Sequence, residues 1–255
     1  MISPDGNNKE QDEIIFVHGA WHGAWCWEKY FVKLFSERGY RCITFDLPKH
    51  DKPGKIKGIN KLSLQDYVNA LKDEVRQLDR PPIIIGHSMG GLIVQKYLET
   101  ETCKRAILLA SVPPSGVLRA ALNFLKHSYG VTSLFTLNLF GLVNTLEKSK
   151  RAFFSENLPA AELEEYSNKL CSESFKVFLN MLYPNVKVKN HRDIPMLVLG
   201  AANDTIFTVK QVEMTAKKYG AKLIIMEDIA HDLMLEVKHE EVANEIMDWI
   251  EGAAS

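Results

Sequence analysis

The segment 86–90, GHSMG, places Ser88 between two glycines in the pattern G-x-S-x-G. This spacing suits a serine on a sharp, strained strand-to-helix turn, where a side chain two residues before or after the serine would collide with the backbone. A short apolar run precedes the segment, and a helix-compatible run follows it. The context therefore predicts that Ser88 is a nucleophile, which needs a neighbouring base to react near neutral pH.

Short apolar runs of strand length recur along the chain, each followed by a helix-like segment. Strands that alternate with helices predict a parallel sheet covered on both faces, and continuous apolarity is typical of strands buried on both sides. The sequence therefore predicts an α/β fold with a mainly parallel six-stranded sheet flanked by helices. The six runs are 14–18, 41–47, 82–88, 105–111, 196–201 and 222–228.

Helical spacing of apolar residues predicts the elements that cover the sheet. One helix is expected to begin after Ser63, its N-cap, and to end before the prolines at 81–82, which cannot continue a helix. The segment 23–39 is expected to form a single surface helix that ends at Gly39. The C-terminal segment 239–252 is expected to close the last face of the sheet.

The stretch 113–192 lacks a strand-like run and carries several helical stripes of apolar residues. It predicts a helical lid, inserted into an α/β core of residues 13–112 and 193–255 within a single domain. As a group the stripes favour an apolar pocket wall, whereas internal packing is the commoner role for any one of these residues. The stripes are Val117/Ala121/Leu125, Phe135/Leu139/Leu142/Leu146, Leu163/Tyr166/Leu170 and Phe175/Phe178/Leu179/Leu182.

The composition favours a small-molecule partner. Thirty-one basic and 32 acidic residues give a formal net charge of −1, so no bulk electrostatic attraction to nucleic acid or anionic membrane is expected. The N-terminal segment lacks signal-peptide features, and the apolar stretch 133–143 is too short to span a bilayer. We therefore expect a soluble, cytoplasmic protein. Its four cysteines are far apart and have no ligand spacing, so neither a zinc site nor a disulfide framework is indicated.

The GHSMG turn, the alternating strands and helices, and the position of the helical insertion resemble the α/β-hydrolase superfamily from Ile14 to about Trp249. In that superfamily the catalytic order is serine, acid, histidine. The resemblance places the acid at Asp204, in "ANDTIF" after the fifth strand, and the base at His231, in "IAHDLMLE" after the sixth. It implies that His231 takes the hydroxyl proton of Ser88, while Asp204 orients and stabilises the imidazolium.

Two other aspartates, Asp228 and Asp232, are alternatives for the acid, although both lie close in sequence to His231, which disfavours the required geometry. His87 adjoins the nucleophile on a tight turn, so its side chain is expected to point away and to be structural. Asp204 is therefore the preferred acid.

The first strand leads directly into a doubled tetrapeptide, HGAWHGAW, at 18–25. In the superfamily an HG-x segment at this point supplies one backbone N–H of the oxyanion hole, and the residue after the nucleophile supplies the other. The resemblance therefore implies Ala20 and Met89 as the donors. His22, in the second copy, is expected to be a turn residue. A metal-binding pair of His18 and His22 is disfavoured because no further ligands are indicated.

The string HGAWHGAWCW also resembles the opening of the plant methyl esterase and hydroxynitrile lyase group. Hydroxynitrile lyases of that group carry threonine where this chain has Gly19 and lysine where it has Asp232, so cyanohydrin cleavage is not expected. The segments GHSMGG and HDLMLE look more like those of bacterial esterases.

The resemblance implies a serine hydrolase that cleaves carboxylic esters of a small or medium apolar substrate through an acyl-enzyme and requires no cofactor. A thioesterase, a lactonase and a carbon–carbon bond hydrolase are alternatives, because one scaffold hosts many reactions. A ligand-binding protein with little turnover is a third hypothesis, which the intact triad disfavours.

Overall fold

The computed structural model describes residues 12–118, 137–188 and 193–252. Within these ranges six strands form one sheet in the order β2-β1-β3-β4-β5-β6, and every neighbouring pair is parallel. The predicted fold class is confirmed, although the second strand ends three residues earlier than its apolar run. The strands are β1 (Glu13–Val17), β2 (Arg41–Thr44), β3 (Ile83–His87), β4 (Arg105–Leu109), β5 (Met196–Ala201) and β6 (Lys222–Met226).

The central strands are buried on both faces, which explains their continuous apolarity. Along β1, Ile14 and Phe16 pack into one core cluster, while Ile15 and Val17 pack into the other. All residues of β3, β4 and β5 are buried, whereas β2 at one edge is partly exposed. The two-residue period of side-chain direction thus divides one apolar run between two cores.

The helices described by the structure cover both faces of the sheet. Ser63 caps α3 as predicted: its hydroxyl accepts from the Asp66 N–H, and the Asp66 carboxylate accepts from the Ser63 N–H. The helices are α1 (Trp25–Glu28), α2 (Phe31–Glu37), α3 (Leu64–Val75), α4 (Met89–Tyr97), α5 (Leu146–Phe153), α6 (Ala160–Lys169), α7 (Phe175–Leu182), α8 (Val209–Tyr219) and α9 (His239–Gly252). None of the helices in these ranges is long and apolar enough to cross a membrane.

The prediction of a single helix over 23–39 is wrong, because the chain forms two short helices with a break at Tyr30. Tyr30 leaves helical geometry at φ −136°. Its ring stacks on His239 with centroids 3.7 Å apart, and its hydroxyl lies 3.1 Å from that of Tyr166. These tertiary contacts accompany a break that the local apolar spacing did not indicate.

Helices α5, α6 and α7 lie between β4 and β5, and no strand occurs in the described part of this insertion. The predicted stripe from Phe135 to Leu146 is not one helix: a 3₁₀ turn spans Leu139–Leu142, and α5 begins at Leu146. Phe135, Ala121 and Leu125 lie outside the described residues. The lid with its limits of 113–192 stays a prediction.

The end of α5 contacts the two loops that follow β5 and β6. The Thr205 hydroxyl donates to the Arg151 carbonyl oxygen at 3.0 Å, and the backbone N–H of Asp232 donates to the Phe153 carbonyl oxygen at the same distance. The insertion is therefore joined to the carboxyl-terminal edge of the sheet by hydrogen bonds.

Candidate active site

Ser88 occupies the turn between β3 and α4 with φ 52° and ψ −116°, a conformation that costs a non-glycine residue free energy. A Cβ atom on Gly86 would lie 2.6 Å from the carbonyl oxygen of Gly90, and one on Gly90 would overlap the carbonyl oxygen of Val17. Both positions therefore require glycine. The turn is secured by Leu109, whose carbonyl oxygen accepts from the Ser88 N–H at 3.0 Å.

The structure brings His231 and Asp204 into direct contact from the loops after β6 and β5. The His231 Nδ1 lies 2.8 Å from the Asp204 Oδ2, and both side chains are buried. The other carboxylate oxygen accepts from the backbone N–H groups of Ile206 and Phe207 at 2.7 and 3.0 Å. With Nδ1 donating to the carboxylate, Nε2 of His231 is the nitrogen able to accept a proton.

The electrostatic environment of His231 favours its charged form. Burial lowers the pKa of this imidazole, but the facing carboxylates of Asp204 and Asp232 outweigh burial and raise it above the usual value. An opposite charge at hydrogen-bond distance is the type of partner that stabilises an imidazolium during proton transfer.

His87 joins the Ser88 turn to the His231 loop. Its Nε2 donates to the His231 carbonyl oxygen at 3.0 Å, and the two ring centroids are 4.9 Å apart. Burial, together with the nearby His231, lowers the pKa of His87 to about 3, so the ring is neutral near neutral pH. The expected structural role of His87 agrees with this geometry.

The segment 18–22, which we call the HGAWH turn, lies against the Ser88 turn. A Cβ atom on Gly19 would lie 3.1 Å from that of Ser88. The His18 Nε2 accepts from the Leu47 N–H at 3.0 Å, so its Nδ1 carries the proton and donates to the Gly19 carbonyl oxygen at 2.8 Å. Since that carbonyl shares a peptide plane with the Ala20 N–H, His18 helps to orient this N–H.

The second donor assigned from the sequence is Met89, the first residue of α4. The N–H groups of the first helical turn have no acceptor within the helix, and they lie at the positive end of its dipole. Ala20 and Met89 are both buried beside the Ser88 turn, which is the type of environment in which backbone donors stabilise a developing oxyanion.

Two contacts at the site were missed by the sequence prediction. His22 is more than a turn residue, because its Nε2 lies 2.9 Å from the Asp232 Oδ2. The Glu236 carboxylate accepts from the N–H groups of Ala230 and Ser155 at 3.2 and 2.5 Å. Long sequence separation hid the first pair, while the charge of Glu236 within an apolar segment was a signal that could have been noticed.

Neither alternative aspartate occupies the position of Asp204. Asp232 is paired with His22, and the exposed Asp228 is bound to Lys238 at 3.1 Å. The hydrogen-bond partner of His231 Nδ1 is therefore the Asp204 carboxylate.

Among the described residues, one set of three side chains, His87, His231 and Asp232, lies close enough to share a metal ion. His231 and Asp232 already bind Asp204 and His22. The set therefore fits proton transfer better than metal coordination.

A model of the alpha/beta hydrolase family matches residues 14–245. Norfluorocurarine synthase 1 of Strychnos nux-vomica is 34% identical over 122 residues, which are 44% of this chain and 42% of that protein. The matches thus span less than half the length of the first curated relatives. Methylesterase 2 of Arabidopsis thaliana is 24% identical over 244 residues, covering 88% of this chain and 90% of that protein.

Among solved structures, an extracellular alpha/beta-hydrolase from a Paenibacillus species matches with a TM-score of 0.70 and 17% identity. The match covers 93% of this chain and 98% of that one, and it shows a shared fold.

Proposed function

We propose that this chain, which belongs to the alpha/beta hydrolase family, hydrolyses carboxylic esters of small or medium apolar molecules. The observation that supports this most strongly is the buried His231–Asp204 pair, which a hydrogen bond through His87 connects to the strained Ser88 turn. A nucleophile, a base and an orienting acid are the three groups that acyl transfer through serine requires.

In the proposed reaction, His231 Nε2 accepts the hydroxyl proton as Ser88 Oγ attacks the ester carbonyl carbon. The carbonyl oxygen becomes an oxyanion, which accepts hydrogen bonds from the Ala20 and Met89 N–H groups. When the bond to the alkoxy group breaks, His231 donates its proton to the leaving alcohol. Water then attacks the acyl-enzyme while His231 takes one of its protons. The bond to Ser88 Oγ breaks, His231 returns the proton to this oxygen, and the acid product leaves.

The comparisons support an ester as the substrate more than they support a thioester, a lactone or a carbon–carbon bond. A relative that spans most of the chain is called a methylesterase. The name of norfluorocurarine synthase 1, however, does not describe an esterase. The same serine, acid and base could serve these other acyl groups, so the substrate panel has to include them.

The test combines covalent capture with turnover. We expect a fluorophosphonate probe to label the purified protein once, with the adduct found on Ser88 by peptide mass spectrometry. We also expect hydrolysis of short-chain nitrophenyl esters, with rates that exceed those for matched thioesters, lactones and diketones. Labelling without turnover of any panel member would favour a ligand-binding protein, and turnover without labelling would contradict a serine mechanism.

The pH dependence of kcat/KM should show an acidic limb with its midpoint above 6.5, the usual histidine value. Only neutral His231 accepts the serine proton, and its pKa is raised, so activity should increase as pH rises through that higher value. A profile from about pH 4 to about pH 9 measures the midpoint. A rate that stays flat down to about pH 4 would contradict His231 as the base.

A further inference from the structure

A second buried histidine–aspartate pair lies behind the proposed catalytic residues. His22 Nε2 and Asp232 Oδ2 are 2.9 Å apart, and the two side chains are 1% and 0% exposed. Asp232 directly follows His231, and His22 lies two residues after Ala20. The pair therefore connects the loop that carries His231 to the HGAWH turn, across 210 residues of sequence.

Both ring nitrogens of His22 face oxygen atoms. Its Nδ1 lies 2.8 Å from the Ala20 carbonyl oxygen, which can only accept, and its Nε2 faces the Asp232 carboxylate. Burial raises the pKa of Asp232, but His22 and His87 outweigh burial and lower it. The His22 ring therefore bridges two oxygen acceptors, the Ala20 carbonyl and the Asp232 carboxylate.

Packing holds the His22–Asp232 pair in one arrangement. The His22 ring stacks on Trp25 with centroids 5.5 Å apart and meets Phe153 edge-on at 5.1 Å. Asp232 is fixed through its backbone N–H, which donates to the Phe153 carbonyl oxygen. A buried hydrogen bond of this kind is costly to break, because removal of one partner leaves the other buried polar group unsatisfied.

The pair also reaches the Ser88 turn. Asp232 Oδ1 lies 3.6 Å from His87 Nε2, the atom that donates to the His231 carbonyl oxygen. The Asp232 carboxylate thus faces two histidines, His22 of the HGAWH turn and His87 of the Ser88 turn.

We propose that His22 and Asp232 are positioning residues, which hold the Ala20 N–H and the His231 ring in register for one substrate carbonyl. This inference rests on the proposed function. The base and the oxyanion donor act on atoms of one reacting group, and displacement by about 1 Å can cost a hundredfold in rate. His22 fixes the Ala20 carbonyl, and Asp232 directly follows His231 in its loop, so the His22–Asp232 contact sets the distance between the two segments.

The proposal predicts two effects of Asp232→Asn. First, kcat should fall by about tenfold to a hundredfold with a smaller change in KM, because the reacting groups are displaced while the substrate pocket is retained. Second, the acidic limb of kcat/KM should move to lower pH, since the Asp232 charge raises the pKa of His231 and amide replacement removes that charge. A purely structural role would not move this limb.

His22→Gln provides a second variant, because its amide can still donate to the carboxylate. It should retain more activity than His22→Ala. The double variant His22→Ala/Asp232→Asn should lose less than the product of the two single losses, since each single change already breaks the same pair. Thermal unfolding identifies any variant that fails to fold.

Tyr219→Phe is the matched control, because it removes a buried hydrogen bond of 2.8 Å to Gln95. It should lower the unfolding temperature and leave the pH profile unchanged. If wild type is labelled at Ser88 but folded Asp232→Asn keeps both its kcat and its acidic limb, the positioning proposal is wrong. If wild type is neither labelled nor active, the proposed function itself fails, which the same assay distinguishes.

Discussion

Ser88→Ala should lower kcat/KM for ester hydrolysis by about four orders of magnitude or more, because no acyl-enzyme can form. The oxyanion donors and the substrate pocket remain, so residual hydrolysis above the solvent rate is expected from binding and N–H donation alone. Alanine retains a Cβ atom, so the strain at φ 52° is unchanged and the turn should persist. Initial rates and fluorophosphonate labelling measure the effect.

The control for this change is Ser111→Ala, because Ser111 is a buried serine outside the proposed catalytic set. Its hydroxyl accepts a hydrogen bond of 2.9 Å from Nε2 of Gln95, a residue of helix α4. Its loss should cost about 1 kcal/mol of unfolding free energy and leave labelling intact. Equal rates for wild type and Ser88→Ala would exclude the proposed nucleophile, and a similar loss in Ser111→Ala would attribute the effect to general destabilisation.

Asp204→Asn should lower kcat by about 10⁴-fold near neutral pH, through a change of histidine tautomer. Oδ1 of Asp204 already accepts from two backbone N–H groups, those of Ile206 and Phe207. An asparagine that keeps these bonds must turn its amide nitrogen toward His231 Nδ1. Nδ1 of His231 would then accept a hydrogen bond from the amide, and the ring proton would move to Nε2. His231 could no longer take the proton of Ser88.

Asp228→Asn is the matched control for Asp204→Asn, since Asp228 is exposed and bound to Lys238. It should retain wild-type activity. A loss in Asp204→Asn no greater than that in Asp232→Asn would indicate that the two carboxylates share the orienting role. Nuclear magnetic resonance of the imidazole nitrogens offers a direct reading of the tautomer of His231.

Features carried by neighbouring residues were predictable from the sequence. The strand at Ile83–His87 is buried throughout, and Gly86 reflects a clash with the carbonyl oxygen of Gly90, four residues further on. Period and turn chemistry are local, so they can be read from one sequence. The positions of Asp204 and His231 came instead from resemblance, because no spacing rule connects either of them to Ser88.

Features carried by tertiary contacts were not predictable. The break at Tyr30 coincides with a ring that stacks on His239, at the start of the last helix. His22 and Asp232 each have an ordinary local interpretation, as a turn residue and as an unused aspartate. The contact between them forms only in the folded chain, which brings together positions 210 residues apart.

The contacts between α5 and the loops after β5 and β6 limit how this chain can be re-engineered. An insertion without hydrogen bonds to the loops of the site could be exchanged between relatives as a module. Here the Arg151 and Phe153 carbonyls accept hydrogen bonds from Thr205 and Asp232, and Ser155 donates to Glu236. A transplanted insertion would therefore have to reproduce these carbonyl positions, and a graft aimed at new specificity should leave Leu146–Phe153 and the residues up to Ser155 in place.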